Sequence, residues 1–336
     1  MIEIDGGIGG GQVFRSALSL SVATATPVRI TDIRGGRPTP GLRPQHLAAV
    51  ELLAEISAAD VTGARPGSNT VEFIPGELTP GSYAIDIETA GSTLLLCDAV
   101  LPLATDLPGH LTVRASGGTD VKWAPTIPHY TQVKLPLLRA HGIPATLEVD
   151  RHGFYPVGGG TVTLRLAPGS PTPFDLGPRS AIEGCQIFSV AAFDLEDASV
   201  ADRQAAEASR RMASNDIELT RRETAYVSAP SPGSAIAITL RSDAAIAGFD
   251  AIGERGVPSE AVATRAIDRL EKFLESDAAL DAHTGDQLLT LLARFGGAIT
   301  VPRLTEHMRT HIQLLEAFDL TLSTTHRDGV VHVSRA

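Results

Sequence analysis

One order of elements occurs three times along this chain, and that repetition limits the fold more than any single motif. MIEI reads as an opening strand. Gly9–Ala25 is then a glycine-led helix, Val28–Ile33 a strand, Pro44–Ser57 a helix, and Thr70–Ile74 and Tyr83–Glu88 two strands. The order αβαββ returns as helix Ala90–Asp106, strand His110–Ala115, a helix near His129–His141, and strands Ala145–Asp150 and Gly160–Leu166. It returns again as helix His283–Phe295, strand Ala298–Thr300, helix Thr305–Phe318, and strands Asp319–Thr324 and Val330–Ser334. Three such units predict a pseudo-threefold set of small sheets backed by paired helices. Between the second and third, Ser170–Ser180 is proline-rich and reads as a crossing linker. The stretch after it, with strands at Ile187–Phe193 and Ala235–Leu240 and helices at Ala201–Ser214 and Val257–Glu275, reads as a small inserted α/β domain.

The loop of the first unit is the most unusual. Arg34, Arg37, Arg43, Gln45 and His46 fall within RGGRPTPGLRPQH, whose glycines and prolines forbid a helix or regular strand until Pro44 opens the next helix. Arginine forks and a helix N-terminus both suit phosphate. The other reading is a solvated surface loop. The run Gly9-Gly10-Gly11 would let backbone N–H groups approach a phosphate, with Arg15 one turn further on, but it lacks the lysine and hydroxyl of a P-loop. Equivalent helix starts occur at Gly91-Ser92 and Gly285-Asp286-Gln287. Loops at corresponding positions of three units could converge on one axis.

Composition narrows the setting. The chain has 336 residues, enough for two or three domains, and a formal net charge of -11. A nucleic-acid partner would therefore need a local basic groove. Aromatics are 4% of residues, so stacking platforms are not advertised. Cys97 and Cys185 stand far apart in apolar surroundings and read as buried thiols in a reducing compartment. No apolar run reaches spanning length and MIEIDGG is no signal peptide, so no membrane contact and a cytoplasmic location are expected.

His307 lies in the first turn of a helix capped by Thr305, where the helix field favours a neutral ring able to attack phosphorus. Spacing alone favours a satisfied, half-buried histidine. His311 reads as packing or as support, and a metal pair of His307 with His311 lacks an HExxH pattern.

DGGIGGGQVFRSALSLS, IRGGRPTPGLRPQHLAAVE, TAGSTLLL, ASGGTD, HGFYPVGGG, GERGV, GDQLL and LTEHMRTHI, in this order, resemble the RNA 3′-terminal phosphate cyclase family over the whole chain. The resemblance implies an α/β (α+β) fold of three repeats, each with two helices on a four-stranded sheet, and an inserted smaller α/β domain. The boundaries that go with it are 1–177 plus 276–336 for the repeats and 178–275 for the insert. It implies conversion of RNA 3′-phosphate ends to 2′,3′-cyclic phosphates with ATP and a divalent metal, magnesium or manganese, through a histidine–AMP intermediate. His307 matches the nucleophile. Arg15, Arg34, Arg37, Gln45 and His46 match polar active-site positions. Asp286 and Gln287 match an element near the nucleotide, and Pro125 a position lining the adenosine pocket.

Two positions depart from the family pattern. The glutamate before the GGGQ run, implicated there in metal binding, is Ile8, with Asp5 as the nearest carboxylate before it. A tyrosine of the adenosine contact is His283. Other functions fit the architecture. One is a non-catalytic, cyclase-like ribosome-assembly protein, against which His307 argues. Another is an enolpyruvyl transferase-type enzyme, against which the arginine loop and the His307 context argue.

Overall fold

Short parallel strand pairs, each joined by a helix, are the seeds of this fold. In the computed structural model, which describes residues 1–335, β1 (Ile2–Asp5) runs parallel to β2 (Val28–Thr31) with Ile4 beside Ile30. The connection is α1 (Gly10–Ala23). Helix α2 (Pro44–Ser57) follows, and β3 (Asp60–Thr62) and β4 (Val71–Ile74) complete a sheet in the order β1-β2-β4-β3. Alternation buries Val28, Ile30, Val71 and Phe73 on one face, where Phe14, Leu18, Leu52 and Leu53 of the two helices join them.

The second unit repeats the plan. Its strands are β5 (Gly81–Asp86), β6 (Leu111–Gly117), β7 (Ala145–Arg151) and β8 (Gly160–Leu166), in the order β5-β6-β8-β7. Its first helix is α3 (Thr93–Val100). Its second starts as α4 (Ile127–His129), passes through a π-helical stretch at Tyr130–Lys134, and ends as α5 (Leu135–Ala140).

The third unit opens with β9 (Phe174–Leu176) and is then interrupted. The interruption carries β10 (Ile182–Ala192), α6 (Val200–Ser214), β11 (Leu219–Val227), β12 (Ser234–Ser242), β13 (Ile246–Ile252) and α7 (Ser259–Leu274). These strands form a separate sheet, β11-β10-β12-β13, with its own apolar core of residues such as Ile187, Ile238, Phe249, Ile267 and Leu270. The third unit then resumes with α8 (Ala282–Phe295), β14 (Gly297–Val301), α9 (Glu306–Glu316), β15 (Leu322–Arg327) and β16 (Val330–Arg335). Its sheet, β15-β16-β14-β9, has the order of the other two read from the opposite edge. All three units contribute to one continuous core. No helix of the described residues is long and apolar enough to cross a membrane.

Several boundaries differ from the sequence expectation. The strand at Tyr83–Glu88 does not close the first unit; it is the parallel first strand of the second, and the missing partner is β3. β3 has three residues and only Val61 turns inward, so it shows no period. The proline-rich linker contains β9, which is held by its parallel register with β14 (Phe174 opposite Gly297) rather than by its own propensity. The insert therefore splits the third unit instead of preceding it. β11, which the apolar pattern does not mark, is an edge strand with most of its side chains exposed to water. β15 begins at Leu322, after Asp319 turns the chain with φ 57.

Candidate active site

The loops at the ends of the parallel strands come together where α1 begins. Gly9 (φ 72) and Gly10 (φ 61) occupy the left-handed region and turn the chain into the helix. The three glycines face three different elements. A Cβ added at Gly9 would lie 3.1 Å from Thr310 Oγ1 of α9, one at Gly10 3.4 Å from Arg37 Nη2, and one at Gly11 2.8 Å from His46 Nε2 of α2. Side chains there would fill the space the site needs. Gly7–Gly10, Gly36, Arg37, Glu306, His307 and Thr310 line a cleft of about 340 Å³.

The arginine loop is rigid for local reasons. Ile33 and Leu42 anchor its ends in the core, and the Gly41 N–H donates to the Ile33 carbonyl at 2.7 Å. The Arg34 N–H donates to the Gly6 carbonyl at 3.0 Å, which ties the loop to the turn before α1. Arg34 Nη1 donates inward to the carbonyls of Thr39 (2.8 Å) and Gly41 (3.2 Å). Arg34 thus braces the loop, while Arg37 projects from it into the cleft.

Charge is unbalanced here. Among the described residues, Arg15, Arg34, Arg37 and Arg43 make no ion pair with a carboxylate. Burial pushes the Arg15 guanidinium down to about 10, with Asp98 and Asp286 pulling the other way, so it stays charged at neutral pH. Arg34 is lowered by burial and by repulsion from Arg43 and Arg37. A cationic hollow at a helix N-terminus suits a polyanion.

His46 is neutral in this setting. Burial, followed by repulsion from Arg15 and Arg34, lowers its pKa from 6.5 to about 3. Its Nδ1 accepts the Arg43 N–H at 3.3 Å, which leaves Nε2 carrying the proton beside Gly11 and Arg15. The unfolded chain binds a proton below pH 6.5 that the folded chain refuses. This group's contribution is therefore complete above pH 6.5 and is lost as pH falls from 6.5 towards 3. Urea midpoints measured across that range should fall less steeply in His46→Gln than in the parent; parallel slopes would refute this.

His307 occupies the first turn of α9, whose N-cap Thr305 accepts the Met308 N–H at 3.1 Å. It is exposed, and its ring has no hydrogen-bond partner among the described residues, which overturns the half-buried reading that spacing favoured. Beneath it lies a polar network that the sequence did not reveal. Gln12 Nε2 donates to Asp286 Oδ1 at 2.9 Å and contacts His311 Nδ1 at 3.0 Å; His311 Nε2 meets Thr290 Oγ1 at 2.9 Å. The network locks α1, α8 and α9 together under the cleft. Gln12 follows the glycine run, and only that position hinted at it.

The remaining expected residues do not line the cleft. Asp286 is tied into the network, with Arg15 nearby. Gln45 Oε1 accepts the Ser92 N–H at 3.1 Å and so joins α2 to the start of α3. Gln287 Oε1 is buried without a partner among the described residues. His283 is exposed at the start of α8, and Pro125 is buried in the loop before α4. α4 itself meets α8 through His129 Nε2 and Thr284 Oγ1, 3.5 Å apart.

An exposed, unpaired imidazole, unpaired guanidiniums and converging helix N-termini define a protein that handles phosphate esters. A sequence model of the family described as RNA 3′-terminal phosphate cyclase matches residues 6–322. Proteins named RNA 3′-terminal phosphate cyclase are similar over nearly the whole chain. That of Halobacterium salinarum is 40% identical, covering 99% of this chain and 100% of its own. That of Thermococcus kodakarensis is 39% identical, covering 94% and 92%. That of Ectopseudomonas mendocina is 38% identical, again covering 94% and 92%. The chain belongs to the RNA 3′-terminal phosphate cyclase family.

Proposed function

We propose that this chain is an ATP-dependent enzyme that converts an RNA 3′-terminal phosphate to a 2′,3′-cyclic phosphate through a covalent histidine–AMP intermediate on His307. The observation that carries the reading is the cleft in which exposed His307 faces Arg37 and the N-terminus of α1. The His307 ring nitrogen attacks the α-phosphorus of ATP and pyrophosphate leaves. An oxygen of the RNA 3′-phosphate then displaces the histidine and takes up AMP. Finally the neighbouring 2′-OH attacks the 3′-phosphorus and expels AMP, which closes the ring. Arg37, Arg15 and the neutral Nε2–H of His46 supply donors for phosphate oxygens as charge moves between them. Arg34 keeps the loop that carries Arg37 in shape. Gln287, with its unpaired buried oxygen, together with Pro125, His283 and Asp286, belongs to the nucleotide side in this reading.

A divalent cation, magnesium or manganese, would enter with the triphosphate. Among the described residues no group of three or more His, Cys, Asp or Glu side chains is arranged to hold one unaided. Magnesium ordinarily takes one or two carboxylates plus substrate phosphates. Glu306 lines the cleft, as does Gly7, whose N–H donates to Asp5 Oδ1 at 2.8 Å. That donor set fits this mode, and the cation would neutralise phosphate charge. The test is incubation with α-labelled ATP and either metal. Acid-labile label on the protein, followed by its discharge on adding RNA with a 3′-phosphate, is expected. A protein that takes no label with either metal would instead favour the ribosome-assembly function.

A further inference from the structure

We infer that Trp123 and Tyr155 form a stacking surface for the bases of single-stranded RNA that lead up to its 3′ end; this rests on the cyclase reading above. Aromatic residues are scarce in this chain, and Trp123 is its one tryptophan. It is nevertheless 94% exposed and held at φ 64, a backbone conformation that costs a bulky residue energy. Tyr155, on the neighbouring loop, is 74% exposed.

Neither loop is loose. Both are pinned by Asp120, which has no exposed surface. Its Oδ1 accepts the Ile127 N–H at 2.8 Å, closing the far end of the Trp123 loop. Its Oδ2 accepts from Thr119 Oγ1 at 2.7 Å and meets His152 Nδ1 at 3.0 Å, at the root of the Tyr155 turn. A bridge between Asp120 and Phe154 joins the two loops directly. One buried carboxylate therefore fixes the position of two aromatic rings that are themselves left in water. Packing gains nothing from that expense.

The surroundings select the ligand. Lys122 binds Glu254 at 2.7 Å, and Glu254 also binds Arg265 at 2.7 Å, so the nearby acid is neutralised. Arg255, next in the chain, and Arg151, just before the Tyr155 turn, are exposed and have no ion-pair partner among the described residues. Exposed rings on loops flanked by unpaired arginines suit a strand that offers both bases and phosphates. Buried contacts also tie the root of the Trp123 loop to the first unit. The Gly118 N–H donates to the Gly91 carbonyl at 2.7 Å, and Ser92 is bonded to Gln45, which adjoins His46. Two exposed rings on joined loops offer places for two bases, whereas ATP brings a single one.

The sole tryptophan makes the test direct. A short single-stranded RNA with a 3′-phosphate, added without ATP, should quench Trp123 emission saturably. Trp123→Ala and Tyr155→Ala should each raise the RNA dissociation constant, read by anisotropy of labelled RNA, about tenfold. Trp123→Phe should recover most of the loss. Unchanged RNA affinity in both alanine variants overturns the proposal. So does quenching by ATP but not by RNA, which would assign the rings to adenine. A shift in emission with protein concentration alone, matched by dimers in sedimentation, would assign them to a second copy and equally overturn it. Label uptake from ATP by the parent is scored separately: its absence defeats the cyclase reading while the RNA titration still judges the stacking surface.

Discussion

His307→Ala is expected to retain no detectable label from α-labelled ATP. Removing an orienting contact slows a step, whereas removing the attacking nitrogen deletes it. ATP should still bind, because Arg37, Arg15 and the helix N-termini remain. The variant should also cyclise an RNA end supplied already adenylylated, since the 2′-OH attacks within the same molecule and needs no protein nucleophile. His311→Ala is the comparison. It breaks the buried contacts to Gln12 and Thr290 and should lower stability by about 1–3 kcal/mol, yet keep the label. Labelled His307→Ala beside unlabelled His311→Ala would move the nucleophile to His311.

Asp120→Ala should be the most damaging change away from the cleft. It strands the buried Ile127 N–H and removes the partner of His152. Each lost partner exposes a desolvation cost, and together they should lower stability by about 2–4 kcal/mol in urea unfolding followed by circular dichroism. Asp120→Asn can still accept the Ile127 N–H and should lose about 1 kcal/mol. If the alanine variant unfolds within about 0.5 kcal/mol of the parent, Asp120 does not hold these loops.

The parts of the fold that could be read from the sequence are those whose residues carry their own signal. α1, α2 and α8 declare themselves by apolar spacing, and Thr305 by its position before α9, where it does cap the helix. β3 and β9 carry no such signal. Each has three residues and exists because a partner strand offers a register. The site divides in the same way. The arginine loop and the glycine run were legible because their composition is rare, whereas His307 stood out only through the family resemblance; the structure brings Gly9, Gly10, Arg37 and His307 into one cleft. The Gln12–Asp286–His311–Thr290 network was not, because it joins ordinary polar residues from distant segments. The double anchoring by Asp120 escaped for the same reason.

The splitting of the third unit sets a timetable for biosynthesis. A chain emerging at roughly 5–20 residues per second folds its N-terminal parts first. The first two sheets are made from contiguous sequence and can close early, but β9 must wait for β14 until the whole insert has been translated. The cleft obeys the same schedule, since its glycine turn and Arg37 are among the earliest residues made and His307 among the late ones. A half-made chain therefore already has one wall of the cleft, the glycine turn and Arg37, before the wall that carries His307 exists.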